Sequence, residues 1–583
     1  MDSHKRNSFF YLLLILVAVC IAYANHFYNE FHFDDFHSIV NNSYIRNLHH
    51  IPQYFIDPKM FSTDPTKWGL RPLVTTTLAI DYWMGQGLNP FYFQLSTFIW
   101  YLTLCIFLYL VYRILYKKSH LPFRPEYPAL LTTAWYALHK ANAETVNYII
   151  ARTDVISTVC IVASFLIFIA WPHRRKYLLY VIPAFLGVFA KETVPVLIIL
   201  LFFYLILFEK QMSLAALFKP KNFKNALLSI WQIMPLIVVV VATQVYTLSR
   251  ISSIPGISNP LLHYVLTQSF VWVHYVIEFF LPMNLSADTD WTVITNVFDE
   301  RIVIGMIFIV AMVVFIFKTS SKMETKPVAF GLIWFSASLL PTSLAPFAEV
   351  TNDHRMFFAF IGLALSVVAY IHYLLMRYQQ HGSSSKQYIT VVYTALLLVI
   401  VLNAKGANNR NKVWATEESL WYDVTVKSPL NGRGMMNYGV VEMGKGNYTV
   451  ADRYFTSAKA LLPTYSTLYL NIGVLKNALH DPQQAEENFK QAIQLDLVNF
   501  QNYEFYARFL TQNNRFSEAK PIAEDAVKLN PTSISSLQLL MSIDAKLQLW
   551  RQLQTAAKQD LAIWPADTTA QSYFKTANEK LHL

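Results

Sequence analysis

The chain has 583 residues, of which 54% are hydrophobic and only 14% charged, and its mean hydropathy is +0.31. Soluble globular chains carry about 25% charged residues, so an ordinary soluble protein is excluded. The net charge of +10 does not mark a nucleic-acid partner, because most basic residues sit in short loops between apolar runs, where they report membrane topology.

The first apolar run, residues 8–24, is long enough to cross a bilayer and follows Lys5 and Arg6. The positive-inside rule keeps those cations inside. No small-residue cleavage site follows, so the run reads as a retained helix. The chain then emerges outside with Phe31-His32-Phe33-Asp34-Asp35-Phe36-His37. Desolvation and mutual repulsion raise the pKa of paired carboxylates, which suits one of them to act as a general base. The plainer use of the same pair is to cap a following helix. The loop 28–93 is too polar to span and too aromatic for a loose tether, which predicts short helices lying on the membrane surface.

Further apolar runs predict helices at about 94–116, 127–146, 154–171, 177–190, 193–208 and 227–248. The run 264–282 carries His274 and Glu278, which are costly in lipid, so it reads as a re-entrant or interfacial helix that leaves the chain outside. Spans at about 301–317, 327–341, 356–376 and 387–404 complete eleven crossings. The three cysteines, Cys20, Cys105 and Cys160, lie in or beside apolar runs and are not spaced as metal ligands or a disulfide framework.

This topology gathers Asp34, Asp35, Arg71, His139, Glu144, Arg152, Asp154, Lys191, Glu192, His354 and Arg355 on the outer side. The inner loops hold little beyond lysine and arginine. A mixed acidic and basic face suits a site that holds a phosphate and deprotonates a nucleophile. Each residue also has a plainer reading. Arg152 can pair with Asp154 or Glu144, Lys191 with Glu192, and His139 can be a hydrogen-bonded helix-end histidine. Asp288 and Asp290 read as exposed loop acids. No cofactor is required by these residues; the adjacent carboxylates leave a divalent cation open, with no octahedral ligand set readable.

A repeat follows. Gly439, Gly473 and Ala507 are 34 apart, as are Ala451, Ala485 and Ala519, and Ala458, Ala492 and Ala526. Phe455, Phe489 and Ala523 keep the register, as do Pro463, Leu497 and Pro531. That is the tetratricopeptide period, and such arrays commonly bind peptides or proteins. A degraded fourth unit from about 534 caps the stack. The expected organisation is all-α: a polytopic membrane domain over 1–405, a linker over 406–430 and a repeat α-solenoid over 431–583.

Taken together, these features resemble the transmembrane and tetratricopeptide-repeat O-mannosyltransferases, of the C-type superfamily of membrane glycosyltransferases. The first-loop signature is similar to Phe33-Asp34-Asp35 with Ile39-Val40-Asn41-Asn42, and an Arg-Pro-Leu segment to Arg71-Pro72-Leu73 followed by Asn89-Pro90-Phe91-Tyr92-Phe93-Gln94. A His, Glu-Ala-Val and Gly-Arg-Ala-Asp block resembles His139, Glu144-Thr145-Val146 and Ala151-Arg152-Thr153-Asp154. Lys191-Glu192-Thr193 matches a Lys-Glu turn, and His354-Arg355-Met356-Phe357-Phe358 a late Glu-Arg segment. Lys140, Ala151 and His354 depart from the family's proline, glycine and glutamate.

The resemblance implies a lipid bilayer setting and transfer of a sugar, mannose, from a polyprenyl phosphate to a Ser or Thr hydroxyl of a protein held by the repeats. It implies Asp34 as base with Asp35 orienting, Arg71, Arg152, Lys191 and Arg355 at the donor phosphate, and His139, Glu144, Asp154, Glu192 and His354 around the substrates. The expected location is a bacterial inner membrane with the repeats in the periplasm, or the endoplasmic reticulum with the repeats in the lumen. The alternatives are a transferase modifying glycan or lipid, and a transporter or flippase carrying a scaffold domain. The absence of similar halves and of polar residues at the membrane midplane argues against a transporter.

Overall fold

The computed structural model describes residues 3–250, 260–380 and 386–582, and among them every regular element is helical. The side chains of Lys5 and Arg6, which orient the first helix in the sequence reading, lie outside the described residues. The chain divides into two compact units, Met1–Asp423 and Val424–Leu583.

The first unit contains α1 (Ser3–Ala22), α2 (Pro72–Met84), α3 (Pro90–Lys118), α4 (Glu126–Ala137), α5 (Asn142–Asn147), α6 (Arg152–Ala170) and α7 (Val181–Val188). It continues with α8 (Val196–Tyr204), α9 (Phe223–Ser249), α10 (Leu261–Phe280), α11 (Glu300–Thr319), α12 (Lys326–Leu344), α13 (Met356–Gln380), α14 (Lys386–Val413) and α15 (Glu417–Lys427). Among the described residues seven helical stretches are long and apolar enough to cross a bilayer, namely Pro90–Lys118, Ile149–Ala170, Pro220–Ser249, Glu300–Thr319, Met323–Leu344, Asp353–Gln379 and Gln387–Val413. Shorter apolar helices occupy Asn7–Ala22 and Val196–Glu209. The chain is therefore a multi-pass membrane protein, since helices satisfy their own backbone groups in lipid.

Two expected spans are interrupted. The run 127–146 resumes only at Asn142, in the short α5, after its first helix ends at Ala137. There the buried His139 imidazole accepts the Ala141 N–H (3.2 Å) and meets the Phe279 carbonyl oxygen (2.9 Å). A backbone donor diverted to a side chain cannot continue the helical ladder. The run 177–190 holds only the eight-residue α7.

Helix α10 keeps its polar side chains on one short stretch. Tyr264 donates to Thr342 O (3.0 Å), Trp272 to Ser343 Oγ (2.9 Å), Gln268 to Val350 O (2.8 Å) and Tyr275 to Asn352 O (3.1 Å). It thus lies across the end of α12 rather than along it. Helices α12 and α13 approach closely where Gly331 faces Gly362; a Cβ on either would strike the other's carbonyl oxygen, the close backbone approach that small residues permit in membranes.

The first loop folds into short turns, Ser43–Arg46, Leu48–His50, Pro58–Phe61 and Pro65–Lys67, each begun by an Asn or Asp whose side chain accepts a backbone N–H. Ile39, Ile45, Tyr54 and Phe61 pack with Val74, Leu78, Phe93 and Ile149 in one buried cluster. This core seats the loop on the ends of α2, α3 and α6.

In the second unit, helices pair as Gly432–Gly444 with Tyr448–Leu461, Ser466–Ala478 with Pro482–Leu495, Phe500–Gln512 with Phe516–Leu529, and Ile534–Lys546 with Trp550–Ile563, before a last helix, Thr568–Lys580. The alanines of the 34-residue columns are fully buried. A Cβ on Gly439 would lie 2.6 Å from the Phe455 ring, and one on Gly473 2.9 Å from the Phe489 ring, so these columns need small residues. Most of 406–430 lies in α14 and α15, and the boundary between the units falls inside α15.

The fourth pair departs from the pattern. Asp560 occupies the column of Ala458, Ala492 and Ala526 and is fully buried. Burial, helped by the charge of Asp567, pushes its carboxyl up to about 6. An unfolded carboxyl titrates near about 4, so between those values the folded chain keeps a proton that the unfolded chain has lost. Stability therefore falls as pH rises through that window. Asp560→Ala is expected to stabilise the repeats by about 1–2 kcal/mol at pH 7.5 and to change little at pH 4. Thermal melts of both proteins at the two pH values check this, and a gain of equal size at both would refute it.

Candidate functional site

The segment 142–154 holds the candidate site together. Helix α5 ends at Asn147, Tyr148 is extended, and a short turn at Ile149–Ala151 leads into α6. The first N–H groups of a helix lack intrahelical partners. Here one of them, on Ile150, donates to Asp35 Oδ1 (2.8 Å), while His32 N–H donates to Asp35 Oδ2 (3.0 Å). Asp35 is fully buried and joins the first loop to the start of α6. Burial pushes its carboxyl up to about 7, against the pull of the two backbone donors and His32.

His32 is also fully buried, with Nδ1 2.5 Å from Glu417 Oε1 and Nε2 2.8 Å from Trp414 O. Both ring nitrogens face acceptors, so both carry protons. Although burial works against charge, Glu417 outweighs it and raises the imidazole's pKa. Phe33 adopts a left-handed backbone (φ 48), an uncommon conformation for a bulky residue. Its ring packs against Tyr148, Trp414 and Trp421.

Asp34 has the opposite environment. Its side chain is 48% exposed, and His37 Nε2 lies 3.1 Å from its Oδ1. Its N–H donates to the Tyr148 hydroxyl (2.9 Å). His37 Nδ1 lies 3.0 Å from Ser38 Oγ and 2.9 Å from Ser62 Oγ. Burial would raise the Asp34 carboxyl, but His37, Lys67 and Arg71 together hold it below the ordinary range. Of two neighbouring carboxylates, one is thus spent on the fold and the other is accessible and ionised.

The remaining predicted residues fall into distinct pairs. Arg71 donates to Glu192 across 3.3 and 3.4 Å, and Lys191 to Asp154 at 2.6 Å. Glu144 Oε1 accepts His354 N–H (3.3 Å) and lies 3.1 Å from His354 Nδ1. Arg355 donates to the Val350 and Glu349 carbonyl oxygens (3.1 and 3.0 Å). Two of these predicted residues are fully buried. Arg152 is fully buried, ion-paired with Asp81, and bonded to Thr97 (3.1 Å), Thr77 (3.3 Å) and Phe93 O (2.5 Å). It therefore pairs neither with Asp154 nor with Glu144, and its donors are used. His139 is fully buried between Phe279 and Phe360.

The sequence reading misses His37, Asp81 and Tyr148. The i,i+3 spacing of Asp34 and His37 is a readable signal for the first. Asp81 is readable as a lone acid on an otherwise apolar helix, which calls for a buried cation. Nothing local marks Tyr148. Among the described residues, no group of three or more His, Cys, Asp or Glu side chains is placed to hold a metal ion.

Comparison with known proteins extends these observations. A tetratricopeptide-repeat family model matches residues 466–499. Protein O-mannosyl-transferase Tmtc3 of Drosophila melanogaster is 22% identical over 561 residues, covering 84% of this chain and 59% of its own length. A protein O-mannosyl-transferase of Caenorhabditis elegans is 21% identical over 467 residues, covering 78% of this chain and 63% of its own. The chain thus spans about six-tenths of the length of these relatives. The crystal structure of yeast Tom70 is similar at a TM-score of 0.25 and 13% identity, over 80% of this chain and 95% of Tom70. Over most of its length the chain is similar to TMTC-type protein O-mannosyl-transferases, and it carries a tetratricopeptide repeat.

Proposed function

We propose that the chain is an integral-membrane glycosyltransferase that moves mannose from a polyprenyl phosphate to a Ser or Thr hydroxyl of a protein. The reaction takes place on the extracytoplasmic side, at a bacterial inner membrane or in the endoplasmic reticulum lumen. The observation that carries this reading is the split of the acidic pair: Asp35 buried on two backbone donors, Asp34 half-exposed beside His37. A base needs an ionised, reachable carboxylate, and the exposure and lowered pKa of Asp34 support that role.

In this mechanism Asp34 accepts the proton of the acceptor hydroxyl as its oxygen attacks the anomeric carbon. The bond from that carbon to the phosphate oxygen breaks, and its electron pair leaves with the lipid phosphate, inverting the sugar. The leaving phosphate requires fixed positive charge. Arg71, with long bonds to Glu192, and Lys191 are suited to it, as is Arg355. Arginine favours bidentate phosphate contact. An apolar cavity of about 500 Å³, lined by Val276, Phe280, Phe308, Met312, Phe335 and Tyr370, supports a lipid-linked donor, since its chemistry suits a prenyl chain. The repeat solenoid supports a protein acceptor.

The decisive assay supplies purified protein with polyprenyl-phosphate mannose and Ser/Thr peptides. Asp34→Asn is expected to lose about 100-fold or more in transfer rate while folding normally. Transfer by Asp34→Asn at the wild-type rate would overturn the assignment of the base, and donor left unconsumed by wild type would overturn the enzyme reading. Because Asp34 is held low by His37 first among its neighbours, the acid limb of the pH–rate profile is expected below the ordinary carboxylate range, and His37→Ala should move it upward. Asp35→Ala should instead destabilise the membrane unit, by about 2–4 kcal/mol, because two buried backbone donors lose their acceptor. Thermal unfolding in detergent separates the two carboxylates: a melting temperature unchanged in Asp35→Ala would contradict its structural role.

A further inference from the structure

Helix α3 starts at Pro90 beside the candidate site and runs 29 residues to Lys118, so its far end lies about 40 Å away, at the opposite membrane face. A cavity of about 490 Å³ opens there between the ends of α3 and α6 and the turn after α8. Its lining has two zones. Ile114 and Phe208 belong to an apolar floor, while Lys117, Lys118, His120 and Gln211 form a polar rim.

The rim is short of negative charge. Glu209, next to Phe208, is engaged by Arg175, which donates to it at 3.0 Å. Among the described residues neither Lys117 nor Lys118 has a carboxylate within ion-pair distance; the Lys118 ammonium lies 5.9 Å from the Tyr204 ring centroid. Two rim residues, His120 (φ 56) and Gln211 (φ 54), adopt left-handed backbone, and the wall between Tyr204 and Lys210 is a single π-helical turn, Leu205–Glu209. π-turns occur frequently at functional sites.

Lysines at a helix C-terminus are ordinary, favoured by the helix dipole and by topology. Lys219, Lys221, Lys224 and Lys322 lie in or beside the short connections before α9 and α12, where topology alone accounts for them, and line neither of the two cavities described. Lys117 and Lys118 differ because they front a cavity with an apolar floor. That pairing of zones fits a phosphodiester on the rim and an acyl chain on the floor, the arrangement by which basic pockets between membrane helices hold anionic lipids. We propose that this cavity binds the head group of an anionic phospholipid, at a site separate from the one that carries Asp34.

The test uses the full-length protein in detergent, titrated with phosphatidylglycerol or phosphatidylcholine and read by native mass spectrometry and thermal shift. One phosphatidylglycerol per chain is expected to be retained and to raise the melting temperature, and phosphatidylcholine is not. Lys117→Gln with Lys118→Gln is expected to weaken phosphatidylglycerol binding at least about ten-fold, whereas Lys322→Gln leaves it unchanged. Gln211→Glu, which adds a negative charge to the rim without removing a lysine, should weaken it too and serves if the double variant does not fold. Equal retention of the two lipids, or equal loss in Lys322→Gln, would refute the site. Binding of inorganic phosphate alone, in competition with phosphatidylglycerol, would assign the cavity to a free phosphate and overturn the lipid proposal.

Discussion

The buried carboxylate of Asp35 is the joint from which the candidate site hangs. It takes one N–H from the start of α6 and one from the first loop, so two stretches far apart in the chain share one acceptor. Leaving such donors unpaired in a dry interior costs about 1–3 kcal/mol each. The same segment, 142–154, reaches His354 through Glu144, Asn29 and Asn411 through Asn147, Asp34 through Tyr148 and Lys191 through Asp154. One kinked stretch therefore ties together three loops and α14, and a side chain at its neighbour, Asp34, can be held out toward solvent because Asp35 is held in.

Charge in the membrane unit follows one rule in two ways. A buried ion needs a partner and further hydrogen bonds to offset its lost hydration. Arg152 shows this in full, with Asp81 and three oxygen acceptors around it. Nearer the surface the pairs vary, from the long contacts of Arg71 with Glu192 to the close pair of Lys191 with Asp154. Buried pairs build the frame, and the more exposed pairs join the loops around it.

The repeat unit rests on size rather than charge. Glycine at 34-residue spacing lets the first two helix pairs close on a phenylalanine ring, and the alanines of the other columns are fully buried. The fourth pair breaks the column with Asp560, whose partner, Asp567, caps the last helix by accepting the Thr569 and Ala570 N–H groups. The departure from the repeat thus falls in the pair that packs against the helix Thr568–Lys580.

By itself the sequence determines the membrane runs, the repeat period, the surface-lying first loop and the kinds of residue gathered at one set of helix ends. Those features are periodic or local, and hydrophobic periodicity encodes which face of an element is buried. It does not determine which of two adjacent aspartates turns inward. Asp34 and Asp35 are chemically identical, and the group that separates them, the Ile150 N–H, is 115 residues away. Arg152 has acids close by in sequence, Glu144 and Asp154, yet its partner is Asp81, 71 residues away. His139 ends a helix, as its position suggests, but its acceptor is the carbonyl of Phe279 on α10. Partner choice among groups of like chemistry is settled by which of them the folded backbone brings within about 3 Å, and only the tertiary structure decides that.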